Sequence, residues 1–520
     1  MGTNNLQPFS MIEGLVEHFK DEKCLTIETH ISWIVITDKY AYKIKKSLDL
    51  GFLDFSTLEK RLHFCREEIR LNKKFAPDIY LCVIPITGTL ESPKWDGDGK
   101  PIEYAVKMRA FPQDKQLDRV LDAGLLKAEQ FDLLADYIGK FHEEAEVAPG
   151  NSDYGSPEKI FYPVQENFIQ IREHCRDKDV LKSLSQLEKW SSETFDSLFS
   201  TFIARKKYGF IRECHGDLHL RNLAWVENRP VAFDCIEFDP YLRWIDTIND
   251  LAFLVMDLDS KNQSRFANRF INKYLEYNGD YESIPILKFY LVYKALIRAK
   301  ISAIRGDQPG ISSKEKALAK KKFQDYLKLA LDYTKPVTPL LIITRGMSAS
   351  GKSTISQQLA ESLGALRIRT DVERKRLFGL RPEDKKENKI DQGIYGQSAT
   401  EKTYSKLEEF TEKIVNSKHS VIVDGVFMHY WQRELFRELA KKKNIPFIIL
   451  EFVCDIKTLQ KRIVERKNKE NVSDADLKVL EHQYTRWEPL NSNEICNSVT
   501  IDTGRQVNIK ILARQLKEKT

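Results

Sequence analysis

The spacing of apolar and polar residues changes character along the chain. Between about residues 30 and 110, short runs with a two-residue period read as strands: HISWIVIT, YAYKIKK, YLCVIPIT and IEYAVKMRA. A helical stretch around 56–75 lies among them. Beyond about residue 125 long helical patterns dominate, interrupted near 210–240 by short hydrophobic strands. From 340 onward strands and helices alternate: LLIIT, a helix over 352–362, ALRIR, helices around 400–416, VIVD, a helix over 431–442, FIILEFV, a helix over 456–467, and SVTID. Such alternation predicts an α/β unit with a parallel sheet covered by helices. The part before it reads as a β-rich lobe followed by an α-rich one, an α+β arrangement. TKPVTP at 334–339 separates the helical run KEKALAKKKFQDYLKLALDY from LLIITRG, so the expected domains are 1–334 and 335–520.

Composition narrows the class. A chain of 520 residues, 42% hydrophobic and 30% charged, is too long for one ordinary domain and can build conventional cores without a disulfide or metal staple. Its eight cysteines are scattered with no CxxC, which suits a reducing compartment and argues against structural zinc. No apolar run approaches the roughly 20 residues of a membrane-spanning helix. MGTNNLQPFSMIEGL lacks a basic segment followed by an apolar core, and Leu6 departs from the myristoylation pattern. The expected location is cytoplasmic, with no membrane partner.

Charge is unevenly distributed. Residues 335–520 carry 34 Lys and Arg against 25 Asp and Glu, whereas the remainder carries 48 against 51. A basic C-terminal part suits nucleotide phosphates, and much of it consists of helix-surface runs such as KKKN at 441–444. No aromatic-plus-basic recognition motif accompanies it, so nucleic acid is disfavoured as a partner.

Gly346-Met347-Ser348-Ala349-Ser350-Gly351-Lys352-Ser353 matches G-x-x-x-x-G-K-[ST] in full, follows an expected strand and opens an expected helix; Thr354 continues the string. Backbone N–H groups of such a loop turn toward phosphate oxygens, with Lys352 reaching the β/γ-phosphates and the Ser353 hydroxyl placed to ligate Mg²⁺. Asp424 closes VIVD, where a carboxylate can hold the same ion or merely end a strand. Asp371 follows ALRIRT, where it can orient or deprotonate an acceptor hydroxyl or, alternatively, cap a helix. Arg462 and Arg466, four residues apart on an expected helix, point the same way and can close over a transferring phosphoryl group; the other reading is a solvated basic face. With RTDVERKRLFG, VIVDGVF and the RIVER…SDAD stretch, this half resembles the P-loop kinases that include gluconate kinases and zeta-toxin-like kinases.

A second constellation lies upstream. His215-Gly216-Asp217-Leu218-His219-Leu220-Arg221-Asn222 has the H-x-D-x-x-x-x-N spacing of kinase catalytic loops, and VAFD ends in Asp234. Asp217 would accept or orient the substrate hydroxyl proton, while Asn222 and Asp234 would hold metal ions against the nucleotide phosphates. His215 is expected to brace the loop, and His219 to be structural. YAYKIKK offers Lys43 and Lys45 on one strand face; Lys43 is chosen as the nucleotide lysine, with Lys45 its competitor. On FCREEIRLNKKF, putting Leu71 and Phe75 on the buried face selects Glu68 over Glu67 as its partner. IEYAVKMRAF is the expected hinge, with backbone near Met108 meeting the adenine; both glycine-rich fingerprints are missing.

HGDLHLRNL, FDCIEFDP, RWIDTINDLAFLVMDL and DLGFLDFSTLEKR with EEIRLNKKFAPDIYL resemble the aminoglycoside phosphotransferase-like family, which shares the bilobal protein-kinase fold and includes choline and related metabolite kinases. The resemblance implies ATP, Mg²⁺ and phosphorylation of a small-molecule hydroxyl. It makes Asp246 and Asp250 structural, and Glu237 is a departure that puts an aminoglycoside substrate in doubt. The order of the two halves resembles a bacterial bifunctional architecture. Two phosphotransferases acting on sugars, sugar acids or aminosugars are therefore expected. The rivals are a P-loop kinase regulated by a pseudokinase-like module, and a nucleic-acid end kinase.

Overall fold

The computed structural model describes residues 9–20, 23–51, 53–382, 384, 392–466 and 477–519, with side chains for all of them except Phe9 and Arg466. In chain order the first elements are α1 (Phe9–Glu17), β1 (Leu25–Glu28), β2 (Ser32–Ile36), β3 (Tyr40–Lys45), α2 (Leu58–Phe75), β4 (Tyr80–Gly88), β5 (Pro93–Trp95) and β6 (Glu103–Arg109). Helices α3 (Leu117–Asp122), α4 (Ala128–Glu144), α5 (Pro157–Glu173) and α6 (Lys178–Lys207) follow, then β7 (Ile211–Glu213), β8 (Leu223–Val226), β9 (Arg229–Ala232), α7 (Pro240–Arg243), β10 (Trp244–Asp246), α8 (Thr247–Ser260), α9 (Ser264–Asn278), α10 (Ile284–Asp307) and α11 (Ser313–Thr334). The remainder is β11 (Leu341–Arg345), α12 (Lys352–Leu363), β12 (Leu366–Arg369), α13 (Thr370–Leu377), α14 (Gln397–Asn416), β13 (Val421–Asp424), α15 (Tyr430–Lys443), β14 (Phe447–Val453), α16 (Ile456–Arg466), α17 (Leu477–Thr485), α18 (Ser492–Ile495), β15 (Ser498–Asp502) and α19 (Ile509–Lys517).

Two compact units emerge: Met1–Leu133, Lys140–Glu166 and Phe199–Asp257 form one, and Leu134–Gly139, Asn167–Leu198 and Leu258–Thr520 the other. The extended connection after Thr334, where the sequence suggests a boundary, lies inside the second unit. Among the described residues no helix is long and apolar enough to cross a membrane.

The first unit is built on an antiparallel sheet ordered β1-β2-β3-β6-β4-β5. Alternation along β3 decides what faces where. Tyr42 and Ile44 join Met11, Ile12 and Leu15 of α1 in an apolar cluster, so Lys43 and Lys45 point to the opposite face. Helix α2 covers that face. Thr57 caps it by accepting from the Lys60 N–H, and its buried stripe runs Arg61, Cys65, Glu68, Asn72 and Phe75. Glu68 is thereby placed inside, directed at the two lysines.

The second unit holds a parallel sheet ordered β12-β13-β11-β14-β15. Ile342, Ile422, Ile448 and Leu450 supply its core against Leu359, Leu512 and Leu516 of the helices. Central β11 is bounded by β13 and β14, so the loop leaving its carboxyl end emerges at a topological switch point, where phosphate ligands bind in such sheets. The other edge problem is solved by α9. Asn272 accepts from the Arg367 N–H at 2.6 Å and donates to the Ala365 carbonyl at 3.0 Å, taking the place of a neighbouring strand along β12.

Substituting Asn272→Ala leaves these buried backbone groups without their partner. We expect a loss of about 1–3 kcal/mol in denaturant unfolding of the second unit, together with faster hydrogen exchange at the Arg367 amide.

Candidate active sites

In the first unit, Glu68 is the hub. Its Oε1 accepts from Lys43 Nζ at 2.8 Å and its Oε2 from Lys45 Nζ at 2.7 Å, so each lysine takes one oxygen. Lys43 continues forward to the Asp234 carboxylate, and Lys45 continues to the buried carboxylate of Glu237. Burial favours the neutral form of each group, but opposite charges outweigh it. The two ammoniums hold Glu68 down at about 2, and Asp234 with Glu68 raises Lys43 well above the ordinary lysine value. Lys45 is raised by Glu237 and Glu68 in the same way. For Glu237 burial prevails and its carboxyl is pushed up.

The loop that carries His215 to Asn222 runs from β7 into β8. Gly216 has φ +85°, and a Cβ there would lie 2.7 Å from the Leu242 carbonyl, so glycine is required at this turn. Asp250 of α8 receives the His215 and Gly216 N–H groups at 3.1 and 2.8 Å, and Asp257 receives that of Leu220 at 3.1 Å. Arg205 pairs with Asp246 through two bonds, the second 2.8 Å long. Asp246 and Asp250 are thus scaffolding groups. His215 is fully buried, and burial lowers its pKa; its Nδ1 accepts from the Asp217 N–H at 3.3 Å, which directs its Nε2–H to the Phe233 carbonyl at 2.9 Å. One neutral imidazole therefore ties the Asp217 turn to the strand end before Asp234.

Asp217 Oδ2 accepts from Asn222 Nδ2 at 3.0 Å and lies 3.3 Å from His219 Nε2. Asp234 stands half-exposed in a left-handed conformation, φ +62°, with its N–H on the Tyr80 hydroxyl at 3.0 Å. Such a conformation is unfavourable for a side chain with a Cβ and is held here by that bond and by the next residue, whose N–H donates to Asn72 Oδ1 at 2.9 Å. Lys43, Glu68 and Asp234 are in contact, as are Asp217 and Asn222. Met108 lies within β6, paired with Ala41 and Tyr80; the ladder continues until the Ala110 N–H meets the Lys39 carbonyl, so the chain leaves the sheet at Phe111.

In the second unit, the loop Gly346–Gly351 joins β11 to α12. A Cβ at Gly346 would lie 2.8 Å from the Phe452 carbonyl, so only glycine allows this approach. Lys352 folds back on the loop, donating to the carbonyls of Gly346 and Met347 at 2.8 Å each. The Ser348 N–H donates to Gln483 Oε1 at 2.9 Å, and Thr503 donates its hydroxyl to the Ser350 carbonyl at 2.8 Å. Ser350 Oγ is buried with no hydrogen-bond partner among the described residues, whereas Ser353 and Thr354 are exposed on the first turn of α12.

Asp424 ends β13 beside this loop. Its oxygens lie 3.3 Å from Thr344 Oγ1 and 3.1 Å from Ser356 Oγ, and Arg367 approaches within 3.9 Å. Asp371 is the second residue of α13, one place inside the helix rather than at its cap, which is Arg369. Arg462 donates to the Thr503 carbonyl at 2.7 Å and to the Ala349 carbonyl at 3.4 Å, which places its guanidinium at the phosphate loop. Arg466 closes α16, and its side chain lies outside the described residues.

The Lys43–Glu68–Asp234 cluster in one unit and, in the other, a Gly-Lys-Ser loop beside the strand-end carboxylate of Asp424 on a parallel sheet are arrangements suited to holding the phosphates of a nucleotide. Residues 341–490 match the family model described as AAA domain. The chain is 28% identical over 453 residues to uncharacterized proteins of Mycobacterium tuberculosis (strain ATCC 25618 / H37Rv) and Mycobacterium bovis (strain ATCC BAA-935 / AF2122/97), covering 86% of this chain and 88% of each relative. Among solved structures it is similar to an amicoumacin kinase, hAmiN, in complex with AMP-PNP, Ca²⁺ and Ami, at 14% identity and a TM-score of 0.38 over 62% of this chain and 93% of that one. It is also similar to a gluconokinase from Sinorhizobium meliloti 1021, at 18% identity and a TM-score of 0.24 over 35% of this chain and 90% of that one.

The donor chemistry fits nucleotide and magnesium. Asp234, Asn222 and Asp217 in one unit, and Ser353 and Asp424 in the other, are hard oxygen donors. Lys43 already places a cation on Asp234, and the Ser350 hydroxyl, without a hydrogen-bond partner among the described residues, lies in the Gly346–Gly351 loop. Several contributors escaped the sequence reading: Tyr80, Asn72, Gln483, Thr503 and Arg367. Asn72 and Tyr80 lie within EEIRLNKKFAPDIYL without a role that the segment itself announces, the other three belong to no motif, and all five reach their sites by tertiary placement.

Glu68 also predicts a pH dependence. A carboxyl held at about 2, against an ordinary 4.5, contributes stability that is complete above 4.5 and is lost as pH falls toward 2. The stability gap between wild type and Glu68→Gln, read from urea midpoints, should be widest above pH 5 and narrow steadily on acidification.

Proposed function

We propose that the chain carries two phosphotransferase sites, one within residues 1–334 and one within 335–520, each moving the γ-phosphoryl group of ATP to a hydroxyl of a small polar molecule. Sugars, sugar acids and aminosugars are the acceptor class. The observation that carries this reading is the contact set Lys43–Glu68–Asp234 in the same unit as the Asp217–Asn222 pair, because a regulatory relic has no need to retain all five groups. Eight free cysteines suit the reducing cytoplasm, where ATP is also supplied.

Magnesium-bound ATP supplies the phosphoryl group and neutralises the charge that develops on it. In the first site Asp217 takes or orients the acceptor hydroxyl proton, with Asn222 holding the carboxylate in place. Lys43, steadied by Glu68, is directed at the nucleotide phosphates, and Asn222 and Asp234 are the residues that would hold metal. Backbone near Met108, shortly before the chain leaves the sheet at Phe111, receives the base. In the second site the backbone of Gly346 to Gly351, with Lys352 and Thr354, binds phosphate. Ser353 and Asp424 would hold metal, and Asp371 orients the acceptor. Arg462 and Arg466 neutralise the transferring group. Catalysis of this type rests on positioning and electrostatics more than on covalent chemistry.

The test is mass-spectrometric detection of ATP-dependent phosphoryl addition across sugars, sugar acids, aminosugars, amino alcohols, aminoglycosides and an oligonucleotide. Asp217→Asn should lower one product by about 10²–10⁴-fold, the range for losing a general base, and Lys352→Ala should remove a different one. Loss of every product with Lys352→Ala alone would make the first unit a regulator, and phosphorylation confined to the oligonucleotide would overturn the acceptor class.

A further inference from the structure

Helix α9 precedes the P-loop string by some 70 positions, yet it packs against β12 in the second unit and sends a carboxylate toward the second site. Glu276 Oε1 accepts from Arg369 Nη1 at 2.8 Å, and Oε2 accepts from Arg367 Nη2 at 3.0 Å. The other amino group of Arg367 donates to the Ser353 carbonyl at 2.9 Å and lies 3.9 Å from Asp424 Oδ2. Two guanidinium groups thus stand between Glu276 on one side and the first turn of α12 with Asp424 on the other. All three side chains are largely withdrawn from solvent, with exposures of 8–15%.

The charge balance there is delicate. Arg369 is buried, which alone would lower its pKa, but Glu276, Asp424 and Asp371 together raise it, so its charge is felt by both candidate catalytic carboxylates. Glu276 is itself held down at about 2: burial favours its protonated form, and Arg369, Arg367 and Lys273 outweigh that preference. Without a counter-charge, the nearest remaining partners for two such cations are Asp424 and Asp371. A guanidinium on Asp424 would occupy the oxygens that a magnesium ion needs.

We propose that Glu276 is a positioning residue for the P-loop site: by engaging both guanidinium groups it keeps Arg367 no closer than 3.9 Å to Asp424 and Arg369 turned toward itself, and so leaves that carboxylate available to magnesium. This rests on the reading of Asp424 as a metal-holding group in an ATP site. Residues 264–278 are accordingly part of the C-terminal kinase.

The test uses the full chain carrying Asp234→Asn, which silences metal binding in the first unit, and follows AMP-PNP binding by calorimetry while Mg²⁺ is titrated. Glu276→Gln should raise the Mg²⁺ concentration for half-maximal binding about tenfold, the scale of a lost outer-shell partner, and leave magnesium-free affinity unchanged. Adding Arg369→Gln removes one competing cation and should return the midpoint most of the way to that of the parent, while Glu276→Asp should fall between the two. An unchanged midpoint, an equal loss with and without Mg²⁺, or a shift that Arg369→Gln does not reverse would overturn the proposal. If the parent shows no AMP-PNP binding that Lys352→Ala removes, the P-loop reading itself fails, and that result is distinct from any of these.

Discussion

A buried carboxylate shared by two lysines is the constraint on which the first unit turns. Glu68 is completely withdrawn from solvent, and an isolated ion in such a place would cost several kcal/mol. It stays charged because β3 presents two ammoniums on one face and α2 presents one glutamate on its buried stripe. Both elements must be in register for either to be tolerable. The same condition aims Lys43 at Asp234, so the requirement of folding and the requirement of chemistry are met by one arrangement. Lys45 and Glu237 extend it inward, where they settle which lysine faces the open side.

The second unit solves a different problem, the support of a loop that binds anions through its backbone. Central placement of β11 gives the loop two flanking strands, and Gly346 lets the chain pass close to Phe452. Side chains from distant segments then take up loop groups: Gln483 on the Ser348 N–H, Thr503 on the Ser350 carbonyl, and Arg462 across both regions. Lys352 is curled onto the carbonyls of Gly346 and Met347, so a phosphate competes with internal partners rather than with bulk water alone.

Much of this was legible in the amino-acid string because the chemistry is local. The glycine, lysine and hydroxyl positions of a phosphate loop are fixed by one turn of chain, and Asp217 with Asn222 share a single short loop. Period-two alternation placed Lys43 and Lys45 on the same face, and the apolar stripe of α2 selected Glu68 over Glu67. The sequence favours Lys43 with Lys45 its competitor, and the two differ in the structure only through Asp234 and Glu237, far along the chain, since both reach Glu68. The end of β6 was equally hidden: pairing to Lys39 carries the strand past Met108, and no residue type announces it. Helix α9 was read as part of the N-terminal half because TKPVTP is an unmistakable connection. Nothing in a helix sequence records that Asn272 will meet the backbone of an edge strand.

That contact has a bearing on how the protein is made. Asn272 and Arg367 are 95 residues apart in sequence, and the helix leaves the ribosome first. At roughly 5–20 residues per second, α9 waits on the order of 5–20 s before the strand it covers has been synthesised. During that interval Asn272 and Glu276 lack the β12 groups that they later hold. Once the strand is made, the groups that cover its edge are supplied by the same chain, which is a protection against pairing with a neighbouring one.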